Sequence, residues 1–234
     1  SPVARENVYR SLFTEYDKNI DKYHLIYQSV VKDWVQETKL RGFSSPIGRR
    51  NTANHVPDEA IDVLMDVCTR NREVFQEFFK TKAKLLGVDK LRRFDLYAPI
   101  DSTEAKYSYE EAQTMILEIY HNFSPAFAAN AKKVIDAQHV DASLSANKRS
   151  GAFATTIIPS VTPYVFMSYA GTARDVSTLA HELGHAVHFL YAANKPFGAQ
   201  FANLPLSETA STFGEMLLFE HLLDKTTSQK ERRT

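Results

Sequence analysis

Two histidines four residues apart, His181 and His185, flank Glu182 in the segment His-Glu-Leu-Gly-His. On a helix this spacing rotates the second histidine by about 40° and advances it by about 6 Å, so both imidazoles can reach one cation at about 2.0–2.1 Å. Glu182 lies about 100° around the helix from His181, where it could hold a water molecule and act as general base. Since chance would produce roughly 0.02 such segments in this chain, the pattern favours a catalytic zinc site over two surface histidines.

A catalytic zinc ion also needs a third protein ligand and an open coordination position. His188 faces the same way as His181 but lies about 10.5 Å further along the helix, so we expect it to pack near the site without binding the ion. Glu208 and Glu215 face one way on the next predicted helix. The small and apolar neighbours of Glu208 make it the predicted ligand. Glu215 either orients a ligating histidine or an arginine, or is simply exposed.

The elements that must position these residues are mainly helical. Glycine and proline number only 8 and 9, and apolar residues recur every three or four positions over long stretches. We expect one long helix or a broken pair at residues 3–40, a loop at 41–57, a helix at 57–87 and an extended segment at 91–100. Cys68 lies on the apolar face of the helix at 57–87, so we expect it to be buried.

Capping residues and a change of period define the second half of the chain. Ser108 and Glu111 form a capping box that begins a helix, which restarts at Pro125. Segments 151–158 and 163–169 are rich in β-branched and aromatic residues and predict two strands. Thr172 and Asp175 then begin the histidine-bearing helix at about 173–193, and a last helix follows at about 205–223.

The expected fold is therefore mainly α, with a small β-hairpin or sheet near residues 151–169. We found no linker or internal repeat, so residues 1–234 are expected to form a single helical domain whose metal-binding part spans about 148–223.

Composition restricts the partners. The chain has 28 Lys and Arg against 28 Asp and Glu, a net charge of +0, and a pI of about 7.1, which disfavours nucleic acid. No apolar run approaches the roughly 20 residues of a membrane span. A single cysteine permits neither an internal disulfide nor a thiolate metal site. We therefore expect no nucleic acid or membrane partner and a cytoplasmic location.

The site segments resemble the thimet oligopeptidase and oligoendopeptidase F family of zinc metallopeptidases, and oligoendopeptidase F most of all. The strongest matches are residues 181–188, His-Glu-Leu-Gly-His-Ala-Val-His, and residues 206–215, Leu-Ser-Glu-Thr-Ala-Ser-Thr-Phe-Gly-Glu. Weaker matches at residues 94–99, 148–153 and 175–180 extend the resemblance over nearly the whole chain.

The resemblance implies a helical zincin-type core around a deep channel in which oligopeptides are cut internally. It implies one zinc ion with three protein ligands, His181, His185 and Glu208. Glu182 would then activate the water that attacks the zinc-polarised carbonyl. The strands that contain Gly151 and Phe153 would lie beside the channel, where an extended substrate could pair by β-strand addition.

Members of that family are longer, and beyond the third-ligand helix they carry His and Tyr side chains that stabilise the oxyanion. We therefore expect this chain to be a central fragment with reduced activity or none, because a lost oxyanion donor costs about 10²–10³ in rate. Surfaces left by missing segments could support self-association. Two alternatives stay open, a zinc exopeptidase and a non-catalytic peptide-binding fragment with a structural metal site.

Overall fold

The computed structural model describes residues 1–100 and 106–226. The chain divides into two compact units, Ser1–Ile100 and Asp101–Thr234. That these units form the single domain expected from the sequence stays a prediction. The described residues are mainly α-helical with a small sheet, which confirms the predicted fold class. None of the helices in the described ranges combines the length and the apolar character that crossing a membrane requires.

The first unit is built from helices joined by short turns. Its described elements are α1 (Pro2–Asp17), α2 (Ile20–Leu40), α3 (Gly48–Asn54), α4 (Asp58–Arg70), α5 (Arg72–Leu86) and a 3₁₀ turn at Arg93–Asp95. Of the two alternatives predicted for residues 3–40, the structure thus has the broken pair of helices, α1 and α2. The predicted loop at 41–57 is wrong in part, because it contains α3. The predicted helix at 57–87 breaks at Asn71, whose side-chain amide donates to the Val67 carbonyl at 2.8 Å and so competes with the helical backbone.

The extended segment predicted at residues 91–100 is instead organised by Asp95. Its carboxylate accepts the backbone N–H of Arg92 at 3.2 Å and thereby closes the 3₁₀ turn. The fully buried carboxylate also accepts from the guanidinium groups of Arg5 at 2.9 Å and Arg92 at 3.0 Å. Because Arg5 lies in α1 and Asp95 in the 3₁₀ turn, this ion-pair cluster connects the first helix of the unit to its last described element.

Burial in the first unit differs from the prediction. Cys68, which we expected to be buried, is exposed. Phe75, on the apolar face of α5, is also 60% exposed. In this unit α1 contacts the 3₁₀ turn and α4 contacts α5, and neither contact covers the apolar faces of α4 and α5, whose large apolar residues such as Leu64 and Phe75 are exposed. The spacing of apolar residues identified the apolar faces of α4 and α5, but a spacing does not show whether another element covers them.

The second unit combines helices with a three-stranded sheet in its described part. Its elements are α6 (Tyr109–Phe123), α7 (Pro125–Asp136), β1 (Val140–Asp141), β2 (Phe153–Thr155), β3 (Tyr164–Phe166), α8 (Ala173–Ala192), a 3₁₀ turn at Phe197–Ala199, and α9 (Leu204–Lys225). The strand order is β1-β3-β2. β3 runs antiparallel to β2, as the two predicted strands would, and parallel to β1, which the sequence analysis missed.

The predicted caps begin their helices. Ser108 Oγ accepts the Glu111 N–H at 3.2 Å and Glu111 accepts the Ser108 N–H at 2.7 Å, at the start of α6. Thr172 and Asp175 make the same reciprocal pair at the start of α8, with distances of 3.2 and 2.9 Å. These bonds satisfy amides that lack helical partners, so they fix where α8 begins and which residues it carries to the site.

α8 lies at the centre of the second unit. It packs against α6, α7, α9 and the strands β2 and β3. Its residues with no exposed surface are Leu179, Ala180, Leu183, Ala186 and Val187. The buried hydroxyl of Tyr120 on α6 donates to the Ala180 carbonyl at 2.7 Å, and burial raises the pKa of this hydroxyl. The histidine-bearing helix is therefore held on several sides.

Replacing Asp95 by Asn tests the ion-pair cluster. We expect Asp95→Asn to lower the free energy of unfolding by about 2 kcal/mol, because two arginines lose a buried anionic partner. Asp89 is exposed and forms no ion pair within residues 1–100 and 106–226, so it offers the same substitution as a control, with a change within about 0.5 kcal/mol. Urea unfolding followed by circular dichroism measures both, and equal stability of the two variants would contradict the assignment.

The pH dependence of the same variant is a second readout. Burial raises the pKa of Asp95, but the hydrogen bonds from Arg5 and Arg92 outweigh that effect and lower the pKa from 3.8 to about 2. A carboxyl with a depressed folded pKa stabilises fully above its unfolded pKa and loses this contribution as the pH falls. The difference in the free energy of unfolding between wild type and Asp95→Asn should therefore become smaller as the pH falls from about 4 to about 2.

Candidate metal centre

Two glycines let α8 and α9 approach to backbone contact. A Cβ atom on Gly184 would lie 2.7 Å from the Ala210 carbonyl oxygen and 3.0 Å from Ser211 Cα. A Cβ on Gly214 would lie 2.8 Å from the Ala180 carbonyl oxygen. Any larger residue at these positions would push the helices apart, since such distances are shorter than carbon atoms tolerate. The crossing places the first turns of α9 over the histidine face of α8.

The crossing brings the three predicted ligands together. Glu208 Oε2 lies 3.4 Å from His181 Nε2 and 3.7 Å from His185 Nε2, and the three ligand atoms lie within 4.8 Å of one another. Ligand atoms around a tetrahedral zinc ion at 2.0–2.1 Å are about 3.4 Å apart. Two imidazole nitrogens and one carboxylate oxygen therefore fit a zinc ion with one position open. The assignment of these residues as zinc ligands stays a prediction.

Glu215 contacts His181 at Nδ1, the ring nitrogen that does not face Glu208. Its Oε1 lies 2.5 Å from His181 Nδ1. If the Nδ1 carries the proton and donates it to this carboxylate, Nε2 keeps its lone pair and faces Glu208. Of the two roles left open for Glu215, the geometry matches the orienting one, with a histidine rather than an arginine as its partner.

Glu182 is buried among these groups, with 4% of its surface exposed. Burial raises the pKa of its carboxyl to about 7, with the charges of Glu208 and Glu215 adding to the increase and His181 opposing it. Within the described residues, Oε2 is buried without a hydrogen-bond partner. A carboxyl of this kind can accept and release a proton near neutral pH, which is the property of a general base.

His185 and His188 follow each other on the same face of α8. Burial, together with the charge of His181, lowers the pKa of His185, which keeps its imidazole neutral and able to bind a metal. His188 is partly buried and its charge lowers the pKa of His185 further, so it lies near the site. It does not belong to the group of metal-ligand atoms found among the described residues.

Ser211 is a site residue to which the sequence analysis gave no role. It is fully buried, and its Oγ lies 2.9 Å from Glu208 Oε2 and 3.0 Å from the Glu208 carbonyl oxygen. A hydroxyl that donates to this carboxylate restricts the rotation of Glu208 and keeps it directed at the histidines. Its position three residues after the predicted ligand was the available signal, because that spacing brings side chains together on a helix.

A cavity of about 390 Å³ borders the centre. Its lining includes His181 and Glu182 on α8 and Gly151 in the turn before β2. Gly151 has a φ of 91°, a conformation that a residue with a side chain rarely adopts. Phe153 follows in β2, stacked on Phe166 with ring centroids 5.0 Å apart. Of the two predicted substrate-side residues, Gly151 therefore lines the cavity, whereas Phe153 lies next to Ala152 of the lining without belonging to it.

Lys148 fixes the loop that leads into β2. Its side chain is only 6% exposed. The ammonium group lies 2.8 Å from Asp141 Oδ1, 2.9 Å from the Ser143 carbonyl and 2.5 Å from the Met167 carbonyl. These charge-assisted bonds join the loop to Asp141 in β1 and to residues just after β1 and β3, so the approach of β2 to the cavity does not depend on strand pairing alone.

Comparisons with known proteins place this arrangement in a family context. The model of Peptidase family M3 matches residues 1–234. The chain is 26% identical over 230 residues to an Oligoendopeptidase F homolog of Lactococcus lactis subsp. lactis, covering 98% of this chain and 38% of that protein. It is 25% identical over 231 residues to the oligopeptidase PepF of Bacillus subtilis, covering 98% of this chain and 34% of that protein.

A solved structure agrees with the fold. A crystal structure assigned to an oligoendopeptidase F from Bacillus anthracis superposes with a TM-score of 0.80 at 18% identity, covering 100% of this chain and 44% of that one. An identity this low supports the similarity of fold alone. The chain spans 38%, 34% and 44% of the length of these three relatives, less than half of each.

Replacing Gly184 by Ala tests whether the helix crossing positions the ligands. The added methyl group must displace the α9 backbone near Ala210, so we expect stability to fall by about 1–3 kcal/mol and zinc affinity to fall at least about tenfold. Gly198 has no atom within 4 Å of an added Cβ, so Gly198→Ala is the matched control. Zinc titration against a competing chelator measures the affinity, and unchanged affinity in Gly184→Ala would refute this role.

Proposed function

The chain belongs to peptidase family M3, and we propose that it carries the zinc-binding and general-base groups of an endopeptidase that hydrolyses short oligopeptides. One observation carries the proposal. The ligand atoms of His181, His185 and Glu208 lie within 4.8 Å of one another, beside Glu182 Oε2, which is buried and has no hydrogen-bond partner in the described part of the chain. A shared metal would bind the lone pairs of the two facing imidazole nitrogens and the carboxylate oxygen, which otherwise face one another without a cation.

The residues divide the chemistry between them. Zinc, when bound, polarises the scissile carbonyl and makes water easier to deprotonate. Glu182 takes a proton from the attacking water at Oε2 and then delivers it to the nitrogen of the leaving amine. Glu215 holds His181 at Nδ1, 2.5 Å away, and Ser211 holds Glu208 at 2.9 Å. These two contacts keep the ligands in place while the carboxyl of Glu182 changes its protonation state.

An extended peptide fits the region beside β2. In the sheet order β1-β3-β2, the described residues pair only one edge of β2, and the backbone of Ala154 in this strand interacts with Glu182. A peptide that pairs with the other edge, as in β-strand addition, would lie along β2 and bring its backbone close to the Glu182 carboxyl. Phe153 and Gly151 would then contact the substrate, and cleavage would fall within the peptide.

Other properties of the whole protein are part of this proposal. The chain spans 38% of the Lactococcus lactis relative, which supports its being part of a longer peptidase, and its central position in such a protein stays a prediction. We propose that oxyanion-stabilising groups come from elsewhere in such a protein, so that these residues alone bind zinc but cleave slowly or not at all. A cytoplasmic location and self-association through uncovered surfaces stay predictions. A non-catalytic zinc-binding fragment is the second candidate, favoured by the same partial coverage.

Two substitutions separate metal binding from catalysis. His181→Ala should lower zinc affinity by more than about 100-fold, because it removes a ligand. Glu182→Gln should keep the zinc and lower kcat of the complete encoded protein at least about 100-fold, because it removes the base. Chelator competition and hydrolysis of a quenched fluorescent peptide measure the two effects. Full activity in Glu182→Gln would refute the base, and full zinc content in His181→Ala would refute the ligand.

Blocking the ends of a peptide distinguishes endopeptidase from exopeptidase activity. We expect an octapeptide with an acetylated amino terminus and an amidated carboxyl terminus to be cut internally at a rate within about fivefold of the free peptide, because main-chain pairing with β2 does not need a terminal charge. Mass spectrometry of the products gives the cleavage position. Loss of cleavage with either blocked end, or release of single terminal residues, would support the exopeptidase instead.

A further inference from the structure

Ser177 contacts the candidate centre although it contacts none of the predicted ligands. It lies one helical turn before His181 on α8, and both residues meet the carboxylate of Glu215 on α9. Ser177 Oγ lies 3.1 Å from Oε2, while His181 Nδ1 lies 2.5 Å from Oε1. An ionised carboxylate only accepts hydrogen bonds, so the hydroxyl and the ring N–H each donate to a separate oxygen.

The direction of this hydroxyl is unusual for its setting. Within a helix, serine and threonine hydroxyls commonly return to the carbonyl four residues before them. Thr178 does so, with its Oγ1 2.9 Å from the Arg174 carbonyl oxygen. Ser177, the preceding residue, reaches across to α9 instead. Its hydroxyl therefore joins the two helices at the same carboxylate that contacts the histidine.

Glu215 needs a second donor to stay in place. Its side chain is 36% exposed, so water can compete for its oxygens. The last torsion of a glutamate is broad and roughly two-fold, and a single bond to His181 would leave the carboxylate plane free to turn. Two donors separated by one turn of α8 fix that plane, because each oxygen can face only one of them.

We propose that Ser177 is a positioning residue of the zinc site, which it serves by fixing Glu215 so that Glu215 holds His181 Nδ1 and presents Nε2 to the metal. This inference rests on the proposed function, since it takes His181 as a ligand. The chain Ser177–Glu215–His181 then extends the support of the centre by one residue beyond the histidine's direct partner. Such outer contacts tune metal affinity without touching the metal.

Zinc affinity of the whole chain tests the proposal without any assay of activity. Competition with a chromophoric chelator should show zinc binding about five- to tenfold weaker in Ser177→Ala than in wild type. Ser177→Thr keeps the hydroxyl, so its zinc affinity should stay within about twofold of that of the wild type. Thr209→Ala is the matched control, because among the described residues its hydroxyl bonds only to the Pro205 carbonyl of its own helix, at 2.8 Å. Circular dichroism confirms that each variant folds.

A double-mutant cycle shows whether Ser177 acts through Glu215. Adding Ser177→Ala to Glu215→Ala should weaken zinc binding by less than about twofold further, because the carboxylate that the hydroxyl fixes is already absent. Affinity of Ser177→Ala equal to wild type, or fully additive effects in the cycle, would overturn the inference and leave the proposed function standing. Failure of the wild-type chain to bind zinc would overturn both.

Discussion

The candidate centre depends on the distance between two helix backbones. Histidines one turn apart can be supplied by α8 alone, but the third donor must come from another element, and a carboxylate reaches only a few ångströms from its Cα. The glycines at 184 and 214 let the backbones touch, so a side chain as short as Glu208 arrives within 3.4 Å of His181. The packing of the unit and its chemistry therefore share one constraint, since the residues that let the helices pack also set the ligand distances.

Burial determines the protonation states that this geometry can use. α8 has fully buried apolar residues on its inner face, Leu179, Leu183 and Val187. The low polarity of these surroundings favours neutral forms, which lowers the pKa of His185 and raises that of Glu182 to about 7. The same environment thus keeps the imidazole of a predicted metal ligand neutral and leaves a carboxyl ready to exchange a proton. Two roles follow from one cause because the two groups carry opposite charges when ionised.

Local patterns in the sequence predicted most of the second unit and part of the first. The spacing of His181 and His185 and the caps at Ser108 and Thr172 depend on one helix each, so they could be predicted directly. The functions of Ser177 and Ser211 depend on which carboxylate the crossing brings to them, and no pattern within one helix contains that information. β1 has two residues, too few for an alternation to be visible. Cys68 was misplaced because helical spacing identifies an apolar face but not whether anything covers it.

The short strand at the cavity has a consequence for solubility. An open strand edge ordinarily invites other chains to add to the sheet, which promotes aggregation. β2 has three residues, so its open edge is only about 10 Å long. The positive φ of Gly151 turns the chain just before the strand, so the edge is not extended in that direction. An edge this short can align a short peptide but offers too few main-chain groups to nucleate a growing intermolecular sheet.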